Sequence, residues 1–367
     1  MSLFIPSAAW VTDEHRMFAD MAARVYAQDL APHISKWVKQ GQVDRSFWEI
    51  AGAQGLMGGA VPEAYGGAGG GVGFDAITVY EQGAVGDCGW GYSIQSIVIH
   101  YLLAYGSDEQ KQRWLPDLVA GRRVAAIAMT EPGCGSDLQA VSTTAVKDGN
   151  QYRINGAKTF ITNGQSADLI VVETDQAQGF RRGRNLEKLG MKANDTSELF
   201  FDDVKVPLTN LLGQDEGQGF YQLMKQLPWE RLVIAITALG AIDFALSETI
   251  TYVQGRNAFG KRVMDFQNTR FKLAEMKTKA EVLRAFVNDC IARAEAGTLD
   301  AATASMAKYW GSETQNEVMH ECLQLFGGYG FMMEYPIARL YADARVQMIY
   351  GGTNEIMKEL IARSLDV

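Results

Sequence analysis

The hydrophobic period of this chain changes twice, and those two changes restrict its architecture more than any other feature. Residues from about 12 to 120 place apolar side chains at helical spacing, as in "TDEHRMFADMAARVYAQDLAPHISKWVKQ". Near Arg123 the texture turns to short runs rich in Val, Ile, Thr and Phe, among them "RVAAIAMTEPG", "ADLIVVET" and "TSELFFDDVKVP", with turn residues such as "KDGN" and "TNG" between runs. From about residue 218 onward helical spacing returns, in segments long enough for a bundle. There is no alternation of strand and helix, and no G-x-G-x-x-G joins one to the other, which argues against a dinucleotide-binding sheet. With 367 residues the chain exceeds what one core usually holds. The expected class is α+β, with an N-terminal helical domain over 1–122, a middle β-domain over 123–215 and a C-terminal helical domain over 216–367.

Several element ends are marked. Thr12 is placed to cap the first helix, with Glu14 in its first turn. Ser107 followed by Gln110 forms a capping box. "AVKDGNQYRI" reads as a β-hairpin. In "LPWERLVIAITALGAI" the run from Leu232 onward is apolar almost all round, so that helix is expected to be buried. Its head carries Glu230 and Arg231, and a buried carboxylate is costly unless paired, hydrogen-bonded or protonated. Glu230 therefore either pairs with Arg231 or caps the helix, or else it faces a cavity.

Charge and composition exclude other classes. A formal net charge of -9 disfavours a surface that tracks nucleic-acid phosphates. No apolar run is read as long enough to span a bilayer. The start, "MSLFIPSAAW", has no secretory or organellar leader pattern, which points to the cytoplasm, with a matrix enzyme whose leader has been removed as the alternative. The four cysteines and four histidines are dispersed, so four free thiols in a reducing compartment are expected and no metal site is assigned.

Four stretches carry candidate chemistry, each with a plainer reading beside it. In "AMTEPGCGSDL", Gly133 and Gly135 let backbone approach a ligand, and Thr130 and Ser136 offer hydroxyls; a simple turn fits equally. "KTFITNG" sets Phe160 and Thr162 on one face of a strand, suited to a flat ligand or to a half-buried strand end. Arg256 in "GRNAFGK" has a fork that matches diphosphate oxygens, or is solvated charge at a helix end. "IYGGTNEIMKELIAR" offers bare backbone at a helix N-terminus, or merely N-capping by Thr353 with Glu355 near the positive end of the dipole.

In this order and over the whole chain, these motifs resemble the acyl-CoA dehydrogenase family of flavoenzymes. "AMTEPGCGSD" looks like the family's first signature and "YGGTNEIMKELIAR" like its second, with "FITNG", "R-x-AFGK" and "QLFGGYG" between them. The resemblance implies a middle domain that is a small β-barrel or sandwich and a C-terminal four-helix bundle. It also implies FAD, a homotetramer built as a dimer of dimers, electron delivery to an electron-transfer flavoprotein, and a place in fatty acid β-oxidation. The implied reaction takes a proton from the carbon next to the thioester carbonyl and a hydride from the neighbouring carbon to flavin N5. Motif by motif, Ile127, Met129, Thr130, Gly135, Ser136, Phe160, Ile161 and Thr162 are implied at the flavin, with Thr162 near N5. Arg256 and Gln267 are implied at the FAD diphosphate of a neighbouring subunit. Gln324, Leu325, Phe326, Gly327, Gly328, Thr353, Asn354 and Glu355 complete that site. Ser136, Tyr221, Pro228, Trp229, Arg231, Gly351 and Gly352 are implied at the acyl-CoA.

In most of the family the base is a glutamate directly before the "GT" that opens the last helix. Here that position is Gly351. A minority, including the long-chain and isovaleryl-CoA dehydrogenases, carries the base at the head of an "ERL" segment, and the resemblance then assigns it to Glu230 in "LPWERLVIA". Two rivals remain: an acyl-CoA oxidase that uses oxygen, and a catalytically silent acyl-CoA-binding protein of the same fold. A saturated straight-chain substrate of medium to long length is the first expectation. One region departs from the family: after "ADLIVV" about one hairpin is missing near Val172–Glu173, so that either the β-domain is trimmed, which would leave an exposed β-edge and put the CoA end of the site in question, or a mobile segment is absent from this sequence.

Overall fold

A computed structural model describes residues 2–5, 8–174 and 179–365. Its first third is helical: α1 (Asp13–Val25), α2 (Ile34–Gln40), α3 (Arg45–Ala53), α4 (Val72–Ala84), α5 (Tyr92–Tyr105) and α6 (Asp108–Val119). Both expected N-caps form. Thr12 accepts from the His15 amide and His15 returns a bond to the Thr12 amide, while Ser107 and Gln110 make the same reciprocal pair. The long helical run expected from Thr12 is broken. A π turn at Tyr26–Leu30 and a 3₁₀ turn at Ala31–His33 separate α1 from α2, where Pro32 supplies no amide for the ladder.

The middle of the chain contains β1 (Ala125–Ile127), β2 (Thr144–Asp148), β3 (Gln151–Thr162), β4 (Leu169–Val171), β5 (Glu173–Thr174), β6 (Phe180–Asn185) and β7 (Thr196–Pro207). They form two sheets, ordered β1-β4-β5 and β2-β3-β7-β6. A common core that includes Ala126, Ala128, Ile154, Ile161, Ile170, Leu199, Phe201 and Val204 joins the two sheets. The β2–β3 hairpin appears as expected: Asp148 pairs with Gln151 across a tight turn whose Gly149 takes φ +61. β4 is short and returns at once to β5, the outermost strand of its sheet, through Val172 at φ 111, an unusual conformation for a β-branched residue. Residues 175–178 of "ETDQAQGF" lie outside the described residues.

The last third holds α7 (Gly219–Gly255), the two-residue strands β8 (Asn257–Ala258) and β9 (Lys261–Arg262), then α8 (Gln267–Glu295), α9 (Ala301–Phe326), α10 (Pro336–Ala344) and α11 (Asn354–Arg363). α7 packs against α4, α8 and α9. As its sequence predicts, Leu232, Val233, Ala235, Ile236, Leu239 and Ile242 are buried. Two expectations are corrected here. α7 begins at Gly219 rather than near Leu232 and runs through Pro228, so Glu230 lies about three turns inside it instead of at its head. α7 is also long and apolar enough to cross a bilayer, with a best-window mean hydropathy of 1.7. That window is 72% buried inside the protein, which identifies α7 as a core helix. A polar cluster ties its far half to its neighbours. Arg284 of α8 donates to both Asp243 oxygens at 2.7 and 2.8 Å, and Tyr80 of α4 donates to Asp243 at 2.5 Å, so these desolvated charges are satisfied.

Candidate active site

Glu230 is 7% exposed. Its Oε1 accepts a 2.8 Å hydrogen bond from the Tyr101 hydroxyl of α5. The residue before each of them is also matched across the same pair of helices: the His100 ring stacks on Trp229 with centroids 4.9 Å apart and planes 16° off parallel. His100 is held in turn by Asp75 of α4, Nε2 to Oδ2 at 2.9 Å, and the other Asp75 oxygen accepts from Tyr92 at 2.9 Å. No ion pair joins Glu230 to Arg231 among the described residues. Arg231 instead turns towards α9, its Nη1 donating to Ser305 Oγ at 3.2 Å. Neither pairing nor helix capping therefore explains Glu230, and it is not itself a wall residue of the cavities described below; its partner Tyr101 lines the first of them. Burial pushes its carboxyl up to about 7, against the opposing pull of the Tyr101 hydrogen bond and the Arg231 charge.

Gly351 and Gly352 both take left-handed backbone, at φ 63 and 87. A Cβ on Gly351 would stand 2.4 Å from Ile234 Cδ1. Ile234 is one helical turn beyond Glu230, so the space beside Gly351 is filled from the helix that carries the acid. Lys308 of α9, fully buried, straps this turn by donating to the Gly352 carbonyl at 2.7 Å and to Asn354 Oδ1 at 2.9 Å. Burial, with the Arg231 charge nearby, lowers the Lys308 ammonium to about 8. Thr353 caps α11 through the Ile356 amide.

A cavity of about 500 Å³ opens between α5, α6, both sheets and the first turns of α7. Its walls are mostly apolar and include Tyr101, Leu102, Trp114, Ile127, Met129, Leu169, Leu212 and Leu223. Of the expected acyl-CoA residues, Tyr221 is 62% exposed, and neither it nor Ser136, Pro228, Trp229, Arg231, Gly351 or Gly352 lines this cavity.

The loop after β1 is fixed from below. Glu131 accepts from the Ser142 amide and hydroxyl, the Thr143 amide and Lys158 Nζ. The Thr159 amide donates to the Thr130 carbonyl at 2.9 Å, which brings Thr130 beside the end of β3. A register shift between Lys158 and Ile161 gives Phe160 φ 59 and leaves its ring 67% exposed, whereas Ile161 is 3% exposed and faces the core. Gly135 and Ser136 are exposed and Thr162 is half-buried.

A second cavity, of about 470 Å³, gathers Arg256 with Tyr252, Gln324, Leu325, Phe326, Gly327, Gly328 and Tyr329. The Arg256 guanidinium lies over the Tyr329 ring, 5.7 Å from its centroid. A Cβ at Gly327 or Gly328 would meet nothing within 4 Å, so the backbone there is open to a ligand. This cavity shares no wall residue with the first. Gln267, exposed at the start of α8, and Asn354 and Glu355, one buried and one exposed at the start of α11, do not line it. The sequence reading missed Tyr101, His100 and Lys308, which it took as helix interior. Tyr101 is separated from Glu230 by 129 positions, and a single sequence carries no signal linking them.

Three family models match in order: "Acyl-CoA dehydrogenase, N-terminal domain" over residues 12–122, "middle domain" over 126–178 and "C-terminal domain" over 217–365. The chain is 48% identical to the mitochondrial long-chain specific acyl-CoA dehydrogenase of Sus scrofa, covering 98% of this chain and 90% of that protein. That alignment runs over 390 positions, more than the 367 residues here, so the relative carries residues that this chain lacks. The crystal structure of an acyl-CoA dehydrogenase from Geobacillus kaustophilus superposes with a TM-score of 0.94 at 45% identity, over 98% of this chain and all of that one. A glutaryl-CoA dehydrogenase from Mycobacterium smegmatis in complex with FADH2 superposes with a TM-score of 0.92 at 27% identity, over 98% of this chain and 96% of that one.

Proposed function

This chain belongs to the acyl-CoA dehydrogenase family of enzymes, and on that premise we propose that it desaturates a straight-chain acyl-CoA of medium to long length at the α,β position, with Glu230 as the base. The observation that carries the reading is the pairing of Gly351 with Ile234: the side chain absent before the last helix would meet α7 one turn beyond a buried carboxylate whose proton affinity is raised.

Glu230 Oε1 is held by Tyr101, which leaves Oε2 to take the α-proton. The electron pair of that C–H bond becomes the new α,β double bond as the β-hydride departs. The Gly351 amide, in a turn held by Lys308, is the donor offered to the thioester oxygen, where negative charge develops. The mostly apolar cavity of about 500 Å³ suits an acyl chain.

The residues present fit FAD. A bulged, exposed Phe160 beside Thr162 and Thr130 suits the edge and face of a flat ring, and the Arg256 fork with the open Gly327–Gly328 backbone suits a diphosphate. Bound FAD supplies the acceptor for the β-hydride. Phe259 (96% exposed), Phe331 (81%) and Met333 (63%) crowd the sequence around Arg256 and Gly327–Gly328, which supports burial of that region by a neighbouring subunit in a homotetramer. An electron-transfer flavoprotein as acceptor, a role in fatty acid β-oxidation and a cytoplasmic location complete the proposal.

Anaerobic titration with acyl-CoAs tests it. The wild-type flavin is expected to bleach with one chain-length class, and Glu230→Gln to keep its flavin and bind acyl-CoA while losing turnover by several orders of magnitude. Normal turnover in that variant would overturn the assignment of the base.

A further inference from the structure

Resting on Glu230 as the base, we propose that Tyr101 is its positioning residue: α5 pins one oxygen of the carboxylate, aims the other at the substrate, and sets the pH above which the base is ready.

Three observations converge on this role. The Tyr101 hydroxyl is the hydrogen-bond partner of the Glu230 carboxylate among the described residues, at 2.8 Å and with both side chains buried. A carboxylate held at one oxygen loses the rotation that would otherwise spread its orientations, and the free oxygen keeps a defined direction. Consecutive residues on each helix also make a two-point clamp. His100 stacks on Trp229 while Tyr101 holds Glu230, and Asp75 fixes the imidazole from behind. α5 therefore registers α7 at the base and at the residue before it. Finally, Tyr101 belongs to the wall of the 500 Å³ apolar cavity. Tyr101 thus belongs to the wall of the space proposed for the acyl chain while its hydroxyl holds the carboxylate, so one side chain bounds the chain and orients the base.

The direction of its effect on proton affinity follows from what surrounds the acid. On α5 the facing groups are Tyr101 and, beyond it, Tyr105, whose ring meets that of Tyr101 edge-on. His100 and its partner Asp75 lie behind Trp229. On α7 the neighbour is Arg231, and on α9 it is Lys308, which faces Arg231. Burial raises the carboxyl, and Tyr101 and Arg231 oppose it. Burial and the adjacent carboxylate push the Tyr101 hydroxyl far above its ordinary range, so it stays a donor at every working pH. A donor that never ionises favours the charged form of Glu230, and losing it favours the protonated form.

The test compares holoenzymes of wild type, Tyr101→Phe and Glu230→Gln in the pH dependence of kcat/KM for lauroyl-CoA. Tyr101→Phe keeps the ring and the cavity wall and removes only the hydroxyl. It is expected to retain flavin and a similar KM, to lose roughly tenfold or more in kcat, and to move the acid limb up by about one to two pH units, the range of a lost hydrogen bond to a charged group. A purely structural tyrosine would lower activity without moving the limb. Site-specific 3-fluorotyrosine at position 101 is a stronger donor of the same shape and is expected to move the limb down. It decides the matter alone if the phenylalanine variant does not load flavin. An unmoved limb in either variant, with Glu230→Gln inactive, overturns the role of Tyr101 and leaves the base in place. An active Glu230→Gln overturns the base and Tyr101's role with it.

Discussion

Lys158 and Glu131 form an ion pair of 2.9 Å in which each side chain is only 3% exposed. The pair lies under the loop that presents Thr130 and Ser136. Burial pushes the Glu131 carboxyl up, but hydrogen bonds from Ser142, Thr143 and Lys158 outweigh it and hold the group well below the usual carboxylate range. Lys158→Met is expected to cost about 3 kcal/mol, because it leaves a buried carboxylate without its counter-charge. Denaturant unfolding of the two proteins checks this. The pair's contribution is expected to be present above the ordinary glutamate pKa and to fade as pH falls below it, since the folded-state pKa is depressed.

Glu230 has the opposite sign. Its carboxyl is raised to about 7, so the folded state holds the proton more tightly than the unfolded chain does, and stability is expected to fall as pH rises from the ordinary glutamate value through about 7. Glu230→Gln should match wild type in stability below the ordinary glutamate pKa and exceed it at pH 8, by up to about 3 kcal/mol. Thermal melts at about pH 4 and at pH 8 test it, and a variant less stable at pH 8 would contradict the sign.

Activity must follow the same titration from the other side. The base works only when ionised, so kcat/KM of the wild type is expected to fall about tenfold per pH unit below about 7. A pH profile that stays flat down to pH 5 would show that no group with this raised pKa limits the reaction.

Placing an acid in the turn before the last helix is expected to be destabilising, through its backbone as well as its packing. Gly351→Glu places a Cβ 2.4 Å from Ile234 Cδ1 and asks a non-glycine residue to hold φ 63. The combined cost should be of the order of 2–4 kcal/mol. Adding Ile234→Ala should recover the packing part and leave the backbone part. A double-mutant cycle in thermal stability separates them, and full additivity would mean that the two residues do not meet.

Arg256 is expected to decide flavin retention without touching the base. Arg256→Ala should weaken FAD binding roughly 100-fold, and Arg256→Lys should recover only part, because a point charge does not reproduce a planar fork. Flavin content after gel filtration of each variant provides the measurement.

What was readable in the sequence and what was not divide along a physical line. The α-β-α order, the β2–β3 hairpin and the Thr12 and Ser107 caps are written in residues within a few positions of each other, and each appears where expected. Burial of the apolar α7 was legible for the same reason. The start of α7 was not, because Pro228 argues for a boundary that the packing of the flanking turns overrides. The break at Pro32 was overlooked because helical spacing continues on both sides of it. Glu230 stood out as a misplaced acid, but its partner Tyr101 reads as one more residue of a buried helix. The contact exists only once α5 and α7 have packed, and no local pattern announces it.

The burial of α7 has a consequence for how the chain is made. Of the helices packed on it, α4 and α5 precede it in the chain, while α8, α9 and α10 follow it. A ribosome that has released residues up to Gly255 therefore holds out a 37-residue helix long and apolar enough to cross a bilayer, with only part of its cover synthesised. The exposed face of α7 therefore waits for α8 and α9 to emerge, which concentrates any demand for chaperones in one interval of translation, ending when α9 packs onto α7.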